Sequence, residues 1–178
     1  AVQMVHALAR LFRISISRGH ELIPIEKELQ HAEAYLQIQK YRYKNQFTYH
    51  FTVDESCTQY LCNKITLQPI IENAIYHGLD RMVDEGRILI RIYSEGEDVV
   101  FRVEDNGVGM SEEQCRSILH KEPGDNSGIG IKNVNDRIKI YFGKEYGLSI
   151  ESELDEGTTV IIRMPKVEEN AAAGWEKV

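Results

Sequence analysis

Leu67-Gln68-Pro69-Ile70-Ile71-Glu72-Asn73-Ala74-Ile75-Tyr76-His77-Gly78 has two faces. Leu67, Ile70, Ile71, Ala74 and Ile75 recur at helical spacing, so the stretch reads as most of a helix over about 66–79 with that stripe against a core. The other face carries Glu72, Asn73, Tyr76 and His77. Asn73 and His77 are four residues apart, which predicts side chains lying side by side. Asparagine is a poor helix former, because its amide competes with the backbone for hydrogen bonds. Its oxygen is of the hard kind that magnesium takes together with phosphate oxygens. A solvated polar face accounts for the same residues, and from this helix alone it is the better reading.

Downstream, residues 87–93 and 99–104 read as two strands joined by Ser94-Glu95-Gly96-Glu97-Asp98, a hairpin turn. Asp105-Asn106-Gly107-Val108-Gly109 follows at once. Asp-Asn-Gly is a common turn sequence. It also fits a site in which Asp105 accepts a hydrogen bond from an exocyclic amine, while Gly107 and Gly109 let the backbone approach a flat ring. Residues 110–127 are polar and rich in turn formers, which predicts a mobile loop with a short helix at 111–119. Gly128-Ile129-Gly130 then opens a helix marked by Ile131, Val134, Ile138 and Tyr141 and ended by Gly143. Such a junction exposes unpaired N–H groups and the positive end of a helix dipole, a natural cradle for a triphosphate. It lacks the Lys-Ser/Thr of a P-loop and opens no Rossmann unit. Glu156-Gly157-Thr158-Thr159 is a turn between strands at 148–152 and 158–164: it reads equally as an ordinary hairpin turn or as one that puts the Thr158 or Thr159 hydroxyl near a base.

Upstream, residues 2–18 read as a helix with Val5, Leu8, Phe12 and Ile16 on its buried stripe. Gly19 stops it, Arg18-Gly19-His20-Glu21 makes a turn, and a second helix begins near Pro24. Ile25, Leu29, Ala32, Leu36 and Tyr43 mark its buried face. The composition changes after Asn45: Phe47 to Val53 alternates like a strand, and Asp54 to Asn63 reads as loop. The tail from Val167 reads as disordered. The expected division is a helical hairpin over 1–45, a second unit over 46–166 and a tail over 167–178. Strand pairs joined by short turns, with helices between, argue for a mixed or antiparallel sheet carrying helices on one face. The fold class is α/β, a two-layer sandwich preceded by a helical hairpin.

The 178 residues are 42% hydrophobic and 28% charged, enough for one good core and a smaller appendage. The net charge is −7 with Lys and Arg scattered, which argues against nucleic acid as a partner. Cys57, Cys62 and Cys115 form no CxxC pair and no metal-ligand spacing. No apolar run approaches the roughly 20 residues that span a bilayer, and there is no signal-peptide pattern. The first residues already read as helix, so the sequence is expected to be a piece of a longer chain.

The four chemical elements are more specific together than singly. Asparagine on a helix, then DxGxG, then GxG before a helix, then GTT before a strand resembles the N, G1, G2 and G3 boxes of the ATPase superfamily of gyrase, the heat-shock chaperone, histidine kinases and MutL. The wording from Leu67 to Gly78 is similar to the N box of sensor histidine kinases of the LytS/YesM type. So are Gly130-Ile131-Lys132-Asn133-Val134-Asn135-Asp136-Arg137-Ile138 and Glu28-Leu29-Gln30-His31-Ala32-Glu33-Ala34-Tyr35-Leu36. The resemblance runs from Ala1 to Pro165. It implies a Bergerat ATP-binding fold that binds ATP with Mg2+. It implies that Asn73 holds the metal, with Glu72 beside it as a catalytic candidate, and that Asp105 binds the adenine amino group. Gly107 and Gly109 would shape the base pocket, residues 110–127 would be a lid, and Gly128 and Gly130 would meet the phosphates. Thr159 would support the Asp105 end, and His77, Lys132 and Arg137 would lie near the phosphates.

Two departures qualify the resemblance. The gyrase-like branch has a water-activating glutamate four residues before the asparagine; here Pro69 stands there, so efficient ATP hydrolysis is not expected. The Asn-Pro-His-Phe-type segment that carries the phosphate-accepting histidine is not in this sequence, and His6, His20, His31, His50, His77 and His120 do not replace it. His31, on a helix beside acidic residues, reads as a packing histidine. The resemblance therefore implies the cytoplasmic catalytic part of a two-component sensor kinase, homodimeric in its full length and tied to a membrane only through upstream segments. That enzyme would pass the ATP γ-phosphoryl group to a histidine and then to an aspartate of a response regulator. The rival is an ATP-binding regulatory or degenerate kinase module without phosphotransfer; the hairpin favours the kinase.

Overall fold

The computed structural model describes residues 2–16, 21–79, 85–120 and 129–170. The turn expected at 18–20, residues 121–127 of the expected lid, Gly128 and the tail from 171 lie outside the described residues. Two helices, α1 (Val2–Ile16) and α2 (Ile25–Arg42), pack against each other. Five strands then make one sheet in the order β2-β4-β5-β7-β6, formed by β2 (Phe47–Val53), β4 (Gly86–Glu95), β5 (Asp98–Asp105), β6 (Gly147–Glu153) and β7 (Gly157–Pro165). β2 and β4 run parallel, and the other pairs are antiparallel.

Strand alternation decides the layering. Ile88, Ile90 and Ile92 of β4, Val99, Phe101 and Val103 of β5, and Val160, Ile162 and Met164 of β7 are buried on one face. Arg87 and Arg91 point the other way and are exposed, and Arg102 and Glu104 beside them form a surface ion pair of 2.7 Å. The buried face is covered by α2, by α3 (Leu67–Asn73) and by α5 (Ile129–Phe142). Leu67, Ile70 and Ile71 of α3 are all at most 1% exposed, and each such side chain contributes about 1.5–3 kcal/mol of burial. The expected two-layer α/β sandwich is what forms.

Several expectations need correction. Residues 66–79 are not one α-helix: α3 ends at Asn73, and Ala74–Leu79 continues as a wider π-helical turn. The 54–63 stretch is not all loop, because β3 (Leu61–Asn63) pairs antiparallel with β1 (Leu22–Pro24). Three-residue strands are too short to show a period. The tail is ordered at least as far as Asn170: Val167 is buried, and its carbonyl accepts from Leu61 N at 2.8 Å. In the 110–127 segment the expected short helix forms as α4 (Glu112–His120), and it packs Ile118 into the core. The stripe read on α1 is not buried, since Val5, Leu8 and Phe12 are 64%, 37% and 56% exposed while Ala7 is buried.

On α2 the correction is chemical. Ile25, Ala32 and Leu36 are buried as expected, and so is His31, read as a packing histidine; Glu28 is buried as well. Glu28 is wholly buried because its carboxylate serves the start of α3. Oε1 accepts from Thr66 N at 2.7 Å and Leu67 N at 2.9 Å, and Oε2 accepts from Ile65 N at 3.0 Å. Those are the amides a helix start leaves without partners. Thr66 supplies no cap of its own, as its hydroxyl turns back to the Asn63 carbonyl at 2.6 Å. Ile65 has φ 57°, a left-handed conformation that is costly for a β-branched residue. Glu28 on its N–H and Arg137 on its carbonyl, at 3.0 Å, hold it there. Arg137 also meets Glu21 at 3.4 Å. Burial raises the Glu28 pKa, and the three N–H groups and Arg137 oppose that rise.

Replacing Glu28 by alanine leaves three buried N–H groups without a partner and Arg137 without its neighbour. The expected cost is about 3 kcal/mol or more, read as a drop in the urea midpoint at unchanged slope. Glu28→Gln, which keeps one acceptor oxygen, should cost markedly less.

Candidate functional site

Asp105 is the last residue of β5 and pairs with Thr158 of β7. Its Oδ1 accepts from Gly107 N at 2.9 Å, which closes a tight turn. Asn106 is spent on structure: its amide oxygen accepts from Arg87 N at 2.6 Å and its amide nitrogen donates to the Glu85 carbonyl at 3.2 Å. Burial pushes the Asp105 carboxyl up to about 6, with the N–H groups of Gly107 and Thr158 holding it back. No cation or side-chain donor is among the causes of that shift. A carboxylate so placed is short of donors, which marks a functional position.

Glycines bring the walls together around it. A Cβ on Gly107 would overlap the backbone of Gly78, and Val108 N donates to the Gly78 carbonyl at 3.2 Å. A Cβ on Gly78 would stand 2.9 Å from Asp105 Oδ1. The end of the π-helical turn therefore lies directly on the Asp105 turn, with no room for side chains between them. Gly109 has φ 67° and runs against the Glu153 carbonyl. Gly157, with φ 117°, runs against the Asp105 carbonyl.

Cross-strand pairing separates the two threonines. Thr158 is opposite Asp105 and Thr159 opposite Glu104, so Thr159 lies on the other face of the sheet. The support assigned to Thr159 falls to Thr158, which is buried and exchanges a 2.8 Å hydrogen bond with Ser152 Oγ. Ser152 also accepts from Met110 N at 2.8 Å and donates to the Gly157 carbonyl at 2.8 Å. That one hydroxyl ties together the start of the 110–127 segment, β6 and β7.

Asn73 is half-buried at the last α-helical residue before the wider turn, and His77 is exposed. The change from i+4 to i+5 bonding between them disturbs the side-by-side register expected at four residues. Glu72 does not stand free as a base. Its Oε1 accepts from Gln68 Nε2 at 3.0 Å, and the carboxylate is hydrogen-bonded to the Tyr35 hydroxyl. Burial first, then Glu72 and Tyr76, push the Tyr35 pKa far up, so it keeps its proton.

α5 starts close to α3: a Cβ on Gly130 would meet Pro69 Cβ at 3.2 Å. The first amides of α5 have no helical partner. Lys132, one turn in, is 34% exposed and bonds Asp136 at 2.7 Å, a surface pair that a phosphate can displace. Arg137 is expected near the phosphates but lies nearly two turns down, committed to Ile65 and Glu21. Gly128 lies outside the described residues. The candidate set is a carboxylate served only by backbone, the glycines packed around it, a helix start and the amide oxygen of Asn73. Gly78, Gly157 and Ser152 were not among the expected site residues. Gly78 stands in the sequence right after His77, but only the fold shows that it touches Gly107.

Residues 62–168 match the family model described as Histidine kinase-, DNA gyrase B-, and HSP90-like ATPase, and residues 1–47 match a model described as Histidine kinase. The chain is 33% identical over 165 residues to sensor histidine kinase BtsS of Escherichia coli K12, covering 93% of this chain and 28% of that protein. It is 34% identical over 163 residues to sensor histidine kinase YesM of Bacillus subtilis, covering 92% and 27%. Sensor protein LytS of Bacillus cereus is 31% identical over 169 residues, covering 93% and 29%. The chain thus spans under a third of the length of these relatives. Among solved structures, the histidine kinase domain of the Erythrobacter litoralis EL346 blue-light activated kinase superposes with a TM-score of 0.62 at 17% identity, covering 99% of this chain and 78% of that one. The catalytic domain of histidine kinase ThkA gives 0.61 at 17% identity, covering 83% and 97%. The boxes, the sandwich and the matched model agree: the chain belongs to the histidine kinase-, DNA gyrase B- and HSP90-like ATPase family, with its relatives among the sensor histidine kinases.

Proposed function

We propose that this chain is the ATP-binding catalytic part of a two-component sensor histidine kinase. The observation that carries the reading is Asp105: a carboxyl with a raised pKa, served only by backbone amides and closely packed by glycine backbone. The adenine amino group supplies the missing donor. Gly107 and Gly109 admit the ring, and Thr158 and Ser152 hold the floor beneath Asp105. The phosphates lie toward the first amides of α5, with Gly130 and Lys132 beside them and Gly128 assigned there by motif. His77 is assigned to the same side.

The donor set fits magnesium arriving with the nucleotide. Among the described residues no group of three or more His, Cys, Asp and Glu can hold a metal. One amide oxygen, Asn73, suits an ion whose other ligands are phosphate oxygens and water. Bound there, the ion neutralises triphosphate charge. The protein's own part is positioning, because in phosphoryl transfer orientation and charge stabilisation do most of the work. The acceptor histidine is placed in an Asn-Pro-His-Phe-type segment outside these residues, and the next acceptor is an aspartate of a response regulator. ThkA has been solved in complex with the response regulator TrrA, which supports such a partner here. The exposed Val5, Leu8 and Phe12 of α1 support a second copy of the chain as partner, as does the match of residues 1–47 to the histidine kinase model. The proposed division is a hairpin over 1–45 and a catalytic unit over 46–166, in a cytoplasmic position beneath a membrane sensor.

Incubation with γ-labelled ATP and magnesium tests the whole reading. These 178 residues should bind ATP without acquiring acid-labile label. A longer chain that includes the upstream acceptor segment should become labelled on histidine. Binding without transfer in the longer chain would make this a degenerate module.

Asn73→Ala should weaken ATP binding by about tenfold when magnesium is present. Little should change when the metal is chelated. An unchanged magnesium effect removes Asn73 from the metal site.

Asp105 gives a pH signature. Its folded value lies above the ordinary 3.8, so its contribution to the stability of the ligand-free protein is fully present below about 3.8 and is lost as pH rises through about 6. Adenine binding works in the opposite sense, since the carboxylate is the better acceptor. ATP affinity should fall with pH below about 6, by up to about tenfold per unit. Asp105→Asn should lose that part of the profile, which separates it from titration of the phosphates. ATP should also be favoured over GTP by at least about tenfold, because the guanine carbonyl would face the carboxylate.

A further inference from the structure

Three side chains of α2 recur every seven residues and lie on one face of the helix: Glu28, Tyr35 and Arg42. Each reaches the segment that carries Asn73. Glu28 accepts from the amides at the start of α3. Tyr35 faces Glu72 and Tyr76, which with burial hold the proton on its hydroxyl. Arg42 Nη1 donates to the Tyr76 hydroxyl at 3.0 Å, and its guanidinium sits 5.8 Å from the Tyr43 ring centre and 5.9 Å from that of Tyr76.

The direction of this chain follows from what each group can do. A guanidinium only donates, a carboxylate only accepts, and each phenol has one proton to give. The arrangement that satisfies all four runs from Arg42 to Tyr76, from Tyr76 to Tyr35, and from Tyr35 to Glu72. It ends on a carboxylate, where such bonds are strongest. Its two anchors beyond α2, Glu72 of α3 and Tyr76 of the π-helical turn, stand on either side of Asn73. They also bracket the point where the helix widens from α to π at Ala74. The widening alters the direction of every side chain after it, so a device that fixes its place fixes Asn73 with it.

We infer that Tyr35 and Arg42 are positioning residues for Asn73, holding the α-to-π transition in the register that presents its amide to the metal–nucleotide complex. This rests on the metal role proposed for Asn73. It also gives the hairpin a direct hold on the nucleotide site, because both residues belong to α2.

The test is ATP binding by the full 178-residue chain in magnesium and in EDTA. The variants are Tyr35→Phe, Arg42→Gln, Arg42→Lys and Asn73→Ala, with thermal melting of each. Tyr35→Phe and Arg42→Gln should each weaken binding about fivefold in magnesium, the value of one hydrogen bond, and less than twofold in EDTA. Arg42→Lys, which keeps a donor, should restore most of the loss. Equal losses in magnesium and EDTA would show general loosening and overturn the inference. So would a normal magnesium effect in both variants while Asn73→Ala has lost it, and in that case the proposed function stands. A normal magnesium effect in Asn73→Ala removes Asn73 from the metal site and overturns this inference with it. If Tyr35→Phe does not fold, Arg42→Gln decides alone, since Arg42 is exposed and its loss opens no cavity.

Discussion

Three backbone amides at the start of α3 point at one buried carboxylate on another helix. Most helices begin with a local cap, a Ser, Thr, Asp or Asn whose side chain turns back on the first amides. Here Thr66 stands at that position and does not cap, and Glu28 does so from α2. The arrangement is costly in isolation, since a wholly buried carboxylate loses its hydration. It holds because its oxygens are matched by three N–H groups, with Arg137 close by. Fixing the start of α3 fixes the axis on which Asn73 rides. Arg137 extends the same junction to α5, whose first turn faces the cleft. The three helices that cover the sheet are thus set relative to one another at a single polar point inside an apolar layer.

The Asp105 carboxylate is placed differently, served by backbone alone. Burial raises its pKa to about 6 against the amides of Gly107 and Thr158. The surrounding glycines contribute by what they lack. Gly78 and Gly107 touch through backbone, and any side chain there would displace the π-helical turn from the Asp105 turn. A helix that widens near a ligand site is a recurring way to redirect side chains without breaking the helix. Here it also brings Gly78 down onto the Asp105 turn.

Much of this was legible in the sequence, and the reasons for the rest are physical. The apolar stripe of residues 67–75 and the alternation in β4, β5 and β7 are long enough to carry a period, so the layers could be read. Asp105, Gly107 and Gly109 can be singled out because their spacing is a motif, and the fold packs them in one turn at the end of β5. β1 and β3 escaped because three residues have no period, and their pairing joins positions some forty apart. The burial of Glu28 is not legible because a charged residue defaults to the surface; only its partners across the core explain it. Arg137 and Lys132 sit in one motif and go to different places, one to a buried junction and one to a surface pair. Thr158 and Thr159 are adjacent in sequence, and strand register alone decides which shares a face with Asp105.

The register of α2 against α3 explains why the hairpin and the sandwich are not independent bodies joined at Asn45. Ile25, Ala32 and Leu36 belong to the same core as Ile70, Ile131 and Ile162, so α2 is a full member of the helical layer. α1 packs on α2 but leaves Val5, Leu8 and Phe12 in solvent. The apolar surface available to another chain is therefore one helix away from the nucleotide cleft, and α2 is the element between them. Any force that shifts α2 along its axis acts on α3 at three places, through Glu28, Tyr35 and Arg42. Apolar contacts tolerate small slips, because dispersion is short-ranged but non-directional. Hydrogen bonds to fixed amides and hydroxyls do not, as they weaken steeply with angle. A polar stripe within an apolar interface thus converts a gradual slide into a choice between registers. The direction in which Asn73, the proposed metal ligand, faces depends on that choice.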